Sequence, residues 1–249
     1  MPTFPNSILF QLSGTLINVA TILIGSLLGI WFGQRVPERA RHTVVSGMGL
    51  FTAAIGLQMF FEHSINALIV LGSLLAGALL GEWWRIEDRL AHLGTFLEQR
   101  FARPSDTAAG HENRFVKGFL TASLLFCIGP IAIIGSIQNG LNGDYQLLAI
   151  KAVLDGFASL AFASTLGIGV IFSSLIILIY QGGISLLAAQ VQTAVSTSMM
   201  TELTATGGIL LLGVAISSIL EIKKVRVGNF LPALVIAPLI VAVIALFKR

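Results

Sequence analysis

Apolar residues run along this chain in long blocks broken by short polar or basic connections. A helix needs about 20 apolar residues to cross the hydrocarbon layer of a bilayer. Eight blocks approach that length, at 8–32, 44–62, 65–84, 116–137, 147–166, 168–189, 203–221 and 229–247. The pattern predicts an all-α, polytopic transmembrane helical bundle of about eight membrane segments, with residues 1–249 forming one domain. Seven segments is the alternative, because 147–189 reads as two crossings or as a re-entrant hairpin. Fused into one helix of about 35 residues, that stretch would be about 50 Å long.

After the third block the period changes. Trp83, Ile86, Leu90, Leu93, Leu97 and Phe101 recur every three or four residues, with Arg85, Asp88, Arg89 and Arg100 between them. That is the pattern of a helix lying in the interface. Residues 85–113 are therefore expected to form a cytoplasmic amphipathic helix and a linker, the latter polar from Pro104 to Asn113.

Two of the blocks resemble each other. GSLLGIW at Gly25–Trp31 matches GALLGEW at Gly77–Trp83, 52 residues on, which suggests a weak internal repeat of 14–62 and 66–103. Gly25, Gly29 and Gly33, like Ser73, Gly77 and Gly81, place a small residue on one helix face every four positions. Such stripes let helix backbones approach closely. The seam could lie within the chain or between two copies of a homo-oligomer.

Composition agrees with the blocks. Apolar residues make up 55% of the 249 and charged residues 11%, with a mean hydropathy of +0.89. Soluble domains carry about 25% charged residues, so the excess apolar surface has to face lipid. Basic residues tend to stay on the cytoplasmic side, and twelve of the fifteen fall in three alternate connections: Arg35 to Arg41, Arg85 to Lys117 and Lys223 to Arg226. Eight crossings put all three on one face and both termini on the other. The expected location is a bacterial inner membrane with periplasmic termini. The basic clusters read as topology signals rather than a nucleic-acid footprint. No Lys or Arg precedes Arg35, so the first helix lacks the basic flank of a cleaved signal peptide.

Ionisable and polar groups inside apolar segments are costly, and so are functional candidates. The stretch from Phe126 to Gly156 concentrates them. Gly129 and Pro130 break a helix, Ser136, Gln138 and Asn139 follow, and Lys151 and Asp155 lie four apart in the next segment, on one helix face. The Lys–Asp pair reads as an internal ion pair or as a substrate, cation or proton site. Asn18 and Gln181 are polar positions in other segments. The uncharged turn Thr165-Leu-Gly167-Ile-Gly169 is too apolar to face water, which makes it a second candidate break buried in protein. Glu202 reads as the opening residue of the seventh helix.

No phosphate-binding glycine loop, zinc-binding helix or nucleophile elbow occurs. The only cysteine is Cys127, and the four histidines lack ligand spacing. No enzyme activity, cofactor or metal is expected.

Taken in order, GTLINVATILIGSLLG, FCIGPIAIIGSIQNGLNGD, KAVLDG, FASTLGIGVIFSS, YQGGISLL and GNFLPAL make the chain similar to the YqgA/YdfK-like family of bacterial inner-membrane proteins. This is a domain-of-unknown-function family. The resemblance covers nearly the whole chain and implies a multi-pass plasma-membrane protein. It brings no residue with an established role.

The expected function is a secondary transporter or uniporter of a small solute or ion. Its site would lie between the broken helix 126–141 and segments 147–189. Asn18, Ser136, Gln138, Asn139, Lys151, Asp155, Thr165 and Gln181 are the candidate binding residues, and Gly129, Pro130, Gly167 and Gly169 the candidate hinges. An ion channel and a non-transporting assembly or sensing partner are the alternatives.

Overall fold

The structure is a computed structural model that describes residues 8–33, 35, 37–64, 66–101 and 114–247. The expected linker from Pro104 to Asn113 lies outside the described residues. Among the described residues the chain forms twelve α-helices and no strand.

A short helix, α1 (Ile8–Gln11), runs into α2 (Ser13–Gly33) through a continuous backbone bond from Leu16 N to Leu12 O. Then follow α3 (Glu38–His63), α4 (Ala67–Trp84) and the amphipathic α5 (Ile86–Phe101). The fourth apolar block is divided into α6 (Arg114–Cys127) and α7 (Pro130–Asn142), bent by 65°. The next is α8 (Gln146–Leu166), a 3-10 turn over Gly167–Phe172, α9 (Ser173–Leu186) and the short α10 (Ala188–Ala194). Finally α11 (Thr197–Val214) passes into a π-helical turn at Ala215–Ile219, and α12 (Ala233–Phe247) follows a 3-10 turn at Val227–Phe230.

Among the described residues six helical stretches are long and apolar enough to span a bilayer, and the bent α6–α7 pair makes a seventh where it is counted as one span. One of the six, Gln146–Leu186, is 41 residues long. It is folded back on itself. Asp155 and Gln181 both bond to Asn18, although 26 residues of straight helix would hold them about 39 Å apart. The reversal falls at Gly167, whose φ of 80° is readily available only to glycine. A Cβ on Gly169 would overlap the Phe115 carbonyl, so the turn is packed against the first turn of α6. The apolar turn is thus covered by protein, and the stretch forms two legs that run in opposite directions.

Contacts between helix ends fix the direction of each crossing. Arg41 bonds the Ser164 carbonyl at 3.2 Å, Arg114 bonds the Thr165 carbonyl, and Arg226 pairs with Glu82 at 2.9 Å. The described basic residues of the three connections therefore gather at one end of the bundle, the basic face. At the other end Asn139 meets Phe10 and Ser13, and Asn66 meets Glu202. Eight helical legs result, and the described chain ends, Ile8 and Phe247, share the end of the bundle opposite the basic face.

One sequence expectation needs correction. The seventh segment opens at Thr197, because the Ser196 hydroxyl caps it by accepting the Met199 N–H at 3.3 Å. Glu202 therefore lies inside the helix. There it is 1% exposed and accepts the Asn66 N–H at 2.9 Å, which satisfies a donor at the start of α4. In addition, Ser136, Gln138 and Asn139 lie on a regular helix, α7, whose break ends at Pro130.

Large apolar side chains face outward on five of the long helices: Leu27 and Phe32 on α2, Leu50 and Phe61 on α3, Leu75 and Leu79 on α4, Phe157 on α8 and Val243 on α12. Burying a polar backbone in lipid without partners costs several kcal/mol per group, and helices satisfy those groups internally. The amphipathic α5 lies against the basic face. Gly94 of α5 meets Phe119, and Leu97, Phe115 and Phe119 form a small core of their own.

Candidate functional site

Glycine brings α2 and α8 together. The two run parallel, and Cβ atoms on Gly25, Gly29 and Gly33 would overlap the carbonyls of Gly156, Leu160 and Ser164. The backbones touch along this line. The residues beside it, Asn18 on α2 and Asp155 on α8, are thereby brought into contact inside the bundle.

Asn18 is fully buried, and its amide nitrogen donates to Asp155 Oδ2 at 3.0 Å and to Gln181 Oε1 of α9 at 3.2 Å. Lys151, one turn before Asp155, forms an ion pair with the same Oδ2. Both members of the pair are 7% exposed. The Lys151 ammonium also stands 5.8 Å from the centroid of the Phe126 ring, in the last turn of α6. The helix break follows directly: Gly129 adopts φ 149°, and Pro130 opens α7 with its fixed φ and no N–H to satisfy. Asp155, Lys151, Asn18 and Gln181 thus meet inside the bundle, beside the broken helix, with Asn18 five residues from the start of α2 and Gln181 five from the end of α9.

The hydrogen-bonding capacity of this cluster is not used up. Asn18 Oδ1 and Gln181 Nε2 are buried with no partner among the described residues. So are the hydroxyls of Thr15, Ser159 and Ser185. Each lies one turn from a member of the cluster: Thr15 from Asn18, Ser159 from Asp155, Ser185 from Gln181. Ser26 and Ser136 add two further buried hydroxyls without partners. A buried polar atom left unpaired costs about 1–3 kcal/mol, so the cluster and its neighbouring turns hold donors and acceptors without partners among the described residues. The neutral residues had a sequence signal, namely their helical spacing from Asn18, Asp155 and Gln181, which the reading of the polar positions did not follow.

The structure separates the remaining candidates. Asn139 is spent on the N-terminus of α2: its Oδ1 accepts the Gly14 N–H at 3.0 Å and its amide donates to Ser13 Oγ at 3.0 Å. Gln138 is half-buried and makes no side-chain bond to a described residue. Thr165 lies in the last turn of α8 at the basic face, ten residues and about 15 Å of helix from Asp155. Gly129 and Pro130 shape the break, whereas Gly167 and Gly169 shape the reversal at the basic face. The two glycine faces, open to a seam within the chain or between copies, are occupied within it. Gly77 and Gly81 meet Ala233 and the Asn229 carbonyl just as Gly25, Gly29 and Gly33 meet α8. Among the described residues no group of three His, Cys, Asp or Glu side chains could hold a metal ion.

Comparison with known proteins agrees with this architecture. The chain is 33% identical over 237 residues to the uncharacterized membrane protein YdfK of Bacillus subtilis strain 168, covering 94% of this chain and 97% of that one. It is 35% identical over 224 residues to the uncharacterized protein YqgA of Escherichia coli strain K12, covering 90% and 94%. No solved structure matches. Residues 13–242 match the family described as protein of unknown function DUF554, and with these near full-length relatives they show that the chain is a multi-pass membrane protein belonging to that family.

Proposed function

We propose that the protein is a secondary transporter or uniporter that moves a small solute or ion through the Asn18–Lys151–Asp155–Gln181 cluster. The observation that carries this reading is a buried carboxylate and ammonium within a helical membrane protein, flanked by unpaired polar atoms and set against a broken helix. Chains that only need to pack in lipid have no use for such a group. Lys151 here acts as a tethered cation on Asp155. A proton or small cation reaching the carboxylate competes with that ammonium and with the Asn18 amide. Releasing Lys151 then changes the charge beside the last turn of α6, where the Gly129–Pro130 break lets α6 and α7 move separately. By the positive-inside tendency, the basic face is cytoplasmic and both termini lie outside the plasma membrane.

The test is flux. Proteoliposomes loaded with a pH-sensitive dye are given a potassium diffusion potential, or a sodium gradient, and the internal pH is followed. Movement of protons through the wild-type protein that is lost in Asp155→Asn supports the reading. Equal signals from wild type, Asp155→Asn and empty liposomes, in both gradients, would remove it.

A further inference from the structure

Helix α6 begins at the basic face, where Arg114 bonds the Thr165 carbonyl, and runs inward from there. Lys117, Leu120 and Leu124 fall three and four residues apart, so they share one face of α6 at increasing depth. With α5, the π-helical turn and the 221–227 return, that face lines a cavity of about 560 Å³ that opens on the basic face. Leu124 is its deepest lining residue on α6, about 15 Å of helix from Arg114.

The cavity changes character with depth. Its mouth is charged: Lys117 pairs with Glu221, and Lys224 and Arg226 act electrostatically on Glu87. Asp88 completes a lining with as many acids as bases, so the mouth favours neither sign of solute. The Ser217 hydroxyl holds the return in place, donating to the Val225 carbonyl and accepting the Val225 N–H, both at 2.9 Å. Further in the lining turns apolar, with Val116, Leu120 and Leu124, and Leu124 is buried. An apolar floor beneath a charged mouth is the form of a hydrophobic gate, which shuts by excluding water.

The turn beneath that floor reaches the buried cluster. The Phe126 ring centroid stands 5.8 Å from the Lys151 ammonium, and Cys127 interacts electrostatically with both Lys151 and Asp155. One helical turn, about 5.4 Å, therefore leads from the floor of the cavity to the side chains that adjoin the ion pair. That turn ends at the helix break. Ile128 N bonds Leu124 O at 3.0 Å, and there the helical ladder stops, because Pro130 has no N–H to offer the Phe126 carbonyl. A Cβ on Gly129 would meet no atom within 4 Å, so the break has space around it. Ile128 faces Gly207 of α11, where no side chain stands in its way.

We infer that the turn 124–128, at the end of α6, is a gate between the basic-face cavity and the Lys151–Asp155 pair. In the conformation described the gate is shut at Leu124. Rotation of the turn about the Gly129–Pro130 break moves Leu124 off the floor and joins the cavity to the pair. The cluster acts back on the gate through Phe126: a Lys151 ammonium released from Asp155 leaves the ring it now attracts. The use of the gate rests on the transport reading, whereas its existence is tested without any flux.

The test is the access of a membrane-impermeant maleimide to single thiols in membrane vesicles of either orientation. Cys127 is the only cysteine of the chain, so the wild-type protein carries a reporter within the gate. On a Cys127→Ser background, Lys224→Cys marks the vesicles that present the basic face, and Leu120→Cys reports on the cavity. Both should react in the same vesicles and in neither case in the opposite ones. Leu124→Ala should raise the rate at Cys127 from the basic side about tenfold, as when a conformation populated at about 10% becomes dominant. The rate from the other side should stay unchanged. Leu124→Val, the milder truncation, should move the rate in the same direction, and a monodisperse elution profile shows that a variant is folded. A Leu120→Cys thiol that stays unreactive where Lys224→Cys reacts overturns the cavity as an entrance. A folded Leu124 variant with the wild-type rate at Cys127, or with an equal rise from both sides, overturns the gate. Absent flux with Cys127 responding to Leu124→Ala would remove the transport reading and leave the gate. Normal flux with Cys127 indifferent to Leu124 would do the reverse.

Discussion

Two glycine-lined seams hold this bundle together, and they carry nearly the same sequence. In the α2–α8 seam, Gly25 and Gly29 of GSLLGIW lie on carbonyls of α8. In the α4–α12 seam, Gly77 and Gly81 of GALLGEW lie on Ala233 and the Asn229 carbonyl. The packing physics is the same: without a Cβ, two backbones come close enough for dispersion and weak Cα–H contacts to hold them. The polar chemistry beside each seam is opposite. At α4 the polar groups are paired. Ser73 donates to the Val70 carbonyl at 2.8 Å, and Asn229 donates to Glu82 at 2.6 Å and accepts the Glu87 N–H at 2.8 Å. At α2, the hydroxyls of Thr15 and Ser26, the amide oxygen of Asn18 and the facing Ser159 hydroxyl have no partner among the described residues. The difference comes from the opposite helix: α12 from Ala233 to Phe247 has no ionisable side chain, whereas α8 brings Lys151 and Asp155. A small-residue stripe fixes how near two helices come. What the closeness is used for depends on the neighbouring turns of the other helix.

The largest effect should come from the shared packing. Gly29→Leu or Gly81→Leu forces a side chain into a carbonyl and should cost about 3 kcal/mol or more, seen as aggregation in size-exclusion chromatography. Gly72→Leu, where no atom stands within 4 Å of the added Cβ, should leave the protein monodisperse. Equal tolerance at Gly29 and Gly72 would break the idea that the seam is set by backbone contact.

The polar contrast should show next. Lys151→Met and Asp155→Leu each strand a buried charge and should destabilise by about 3–5 kcal/mol, while the double variant costs much less than their sum. Ser73→Ala, at the seam whose polar groups are paired, should cost about 1 kcal/mol. Chemical denaturation of the purified protein gives all four values, and an additive Lys151/Asp155 cycle would contradict the coupling.

A smaller effect belongs to the anchor of α5. Burial pushes the Glu87 carboxyl above its ordinary range, against the lowering influence of the Gly228 N–H and of Arg226. The folded chain therefore holds that proton to higher pH than the unfolded chain does. The associated stability is present in acid and lost as pH climbs from the usual glutamate range through the raised value. Melting temperatures across that window should fall in wild type relative to Glu87→Gln, whose profile should be flatter. Smallest of all, Thr165→Val and Gln138→Ala should change stability by no more than about 0.5 kcal/mol. Neither should alter flux, since both side chains stand apart from the Asn18–Asp155 contact.

How far the sequence reaches can be judged from particular residues. The apolar blocks, the alternating basic connections and the Gly129–Pro130 break were legible because lipid imposes length, charge and backbone rules on the local chain. The pairing of Lys151 with Asp155 was legible because four residues make one helical turn. Asn139 was not, because its role as a cap for α2 depends on a helix more than a hundred residues away. Nor was the role of Glu202, which serves the start of α4 rather than its own helix.

The sequence by itself determined that this chain crosses a membrane many times, which end of the bundle is basic, and where polar groups sit within each segment. Only the tertiary structure decided that Asn18 joins Asp155 to Gln181, that Thr165 stands apart, and that both glycine stripes are spent within the chain. Periodicity and hydropathy act over one helix at a time, and so are written in consecutive residues. A contact between helices depends on which faces the whole bundle turns toward each other, and that is settled by all the seams at once.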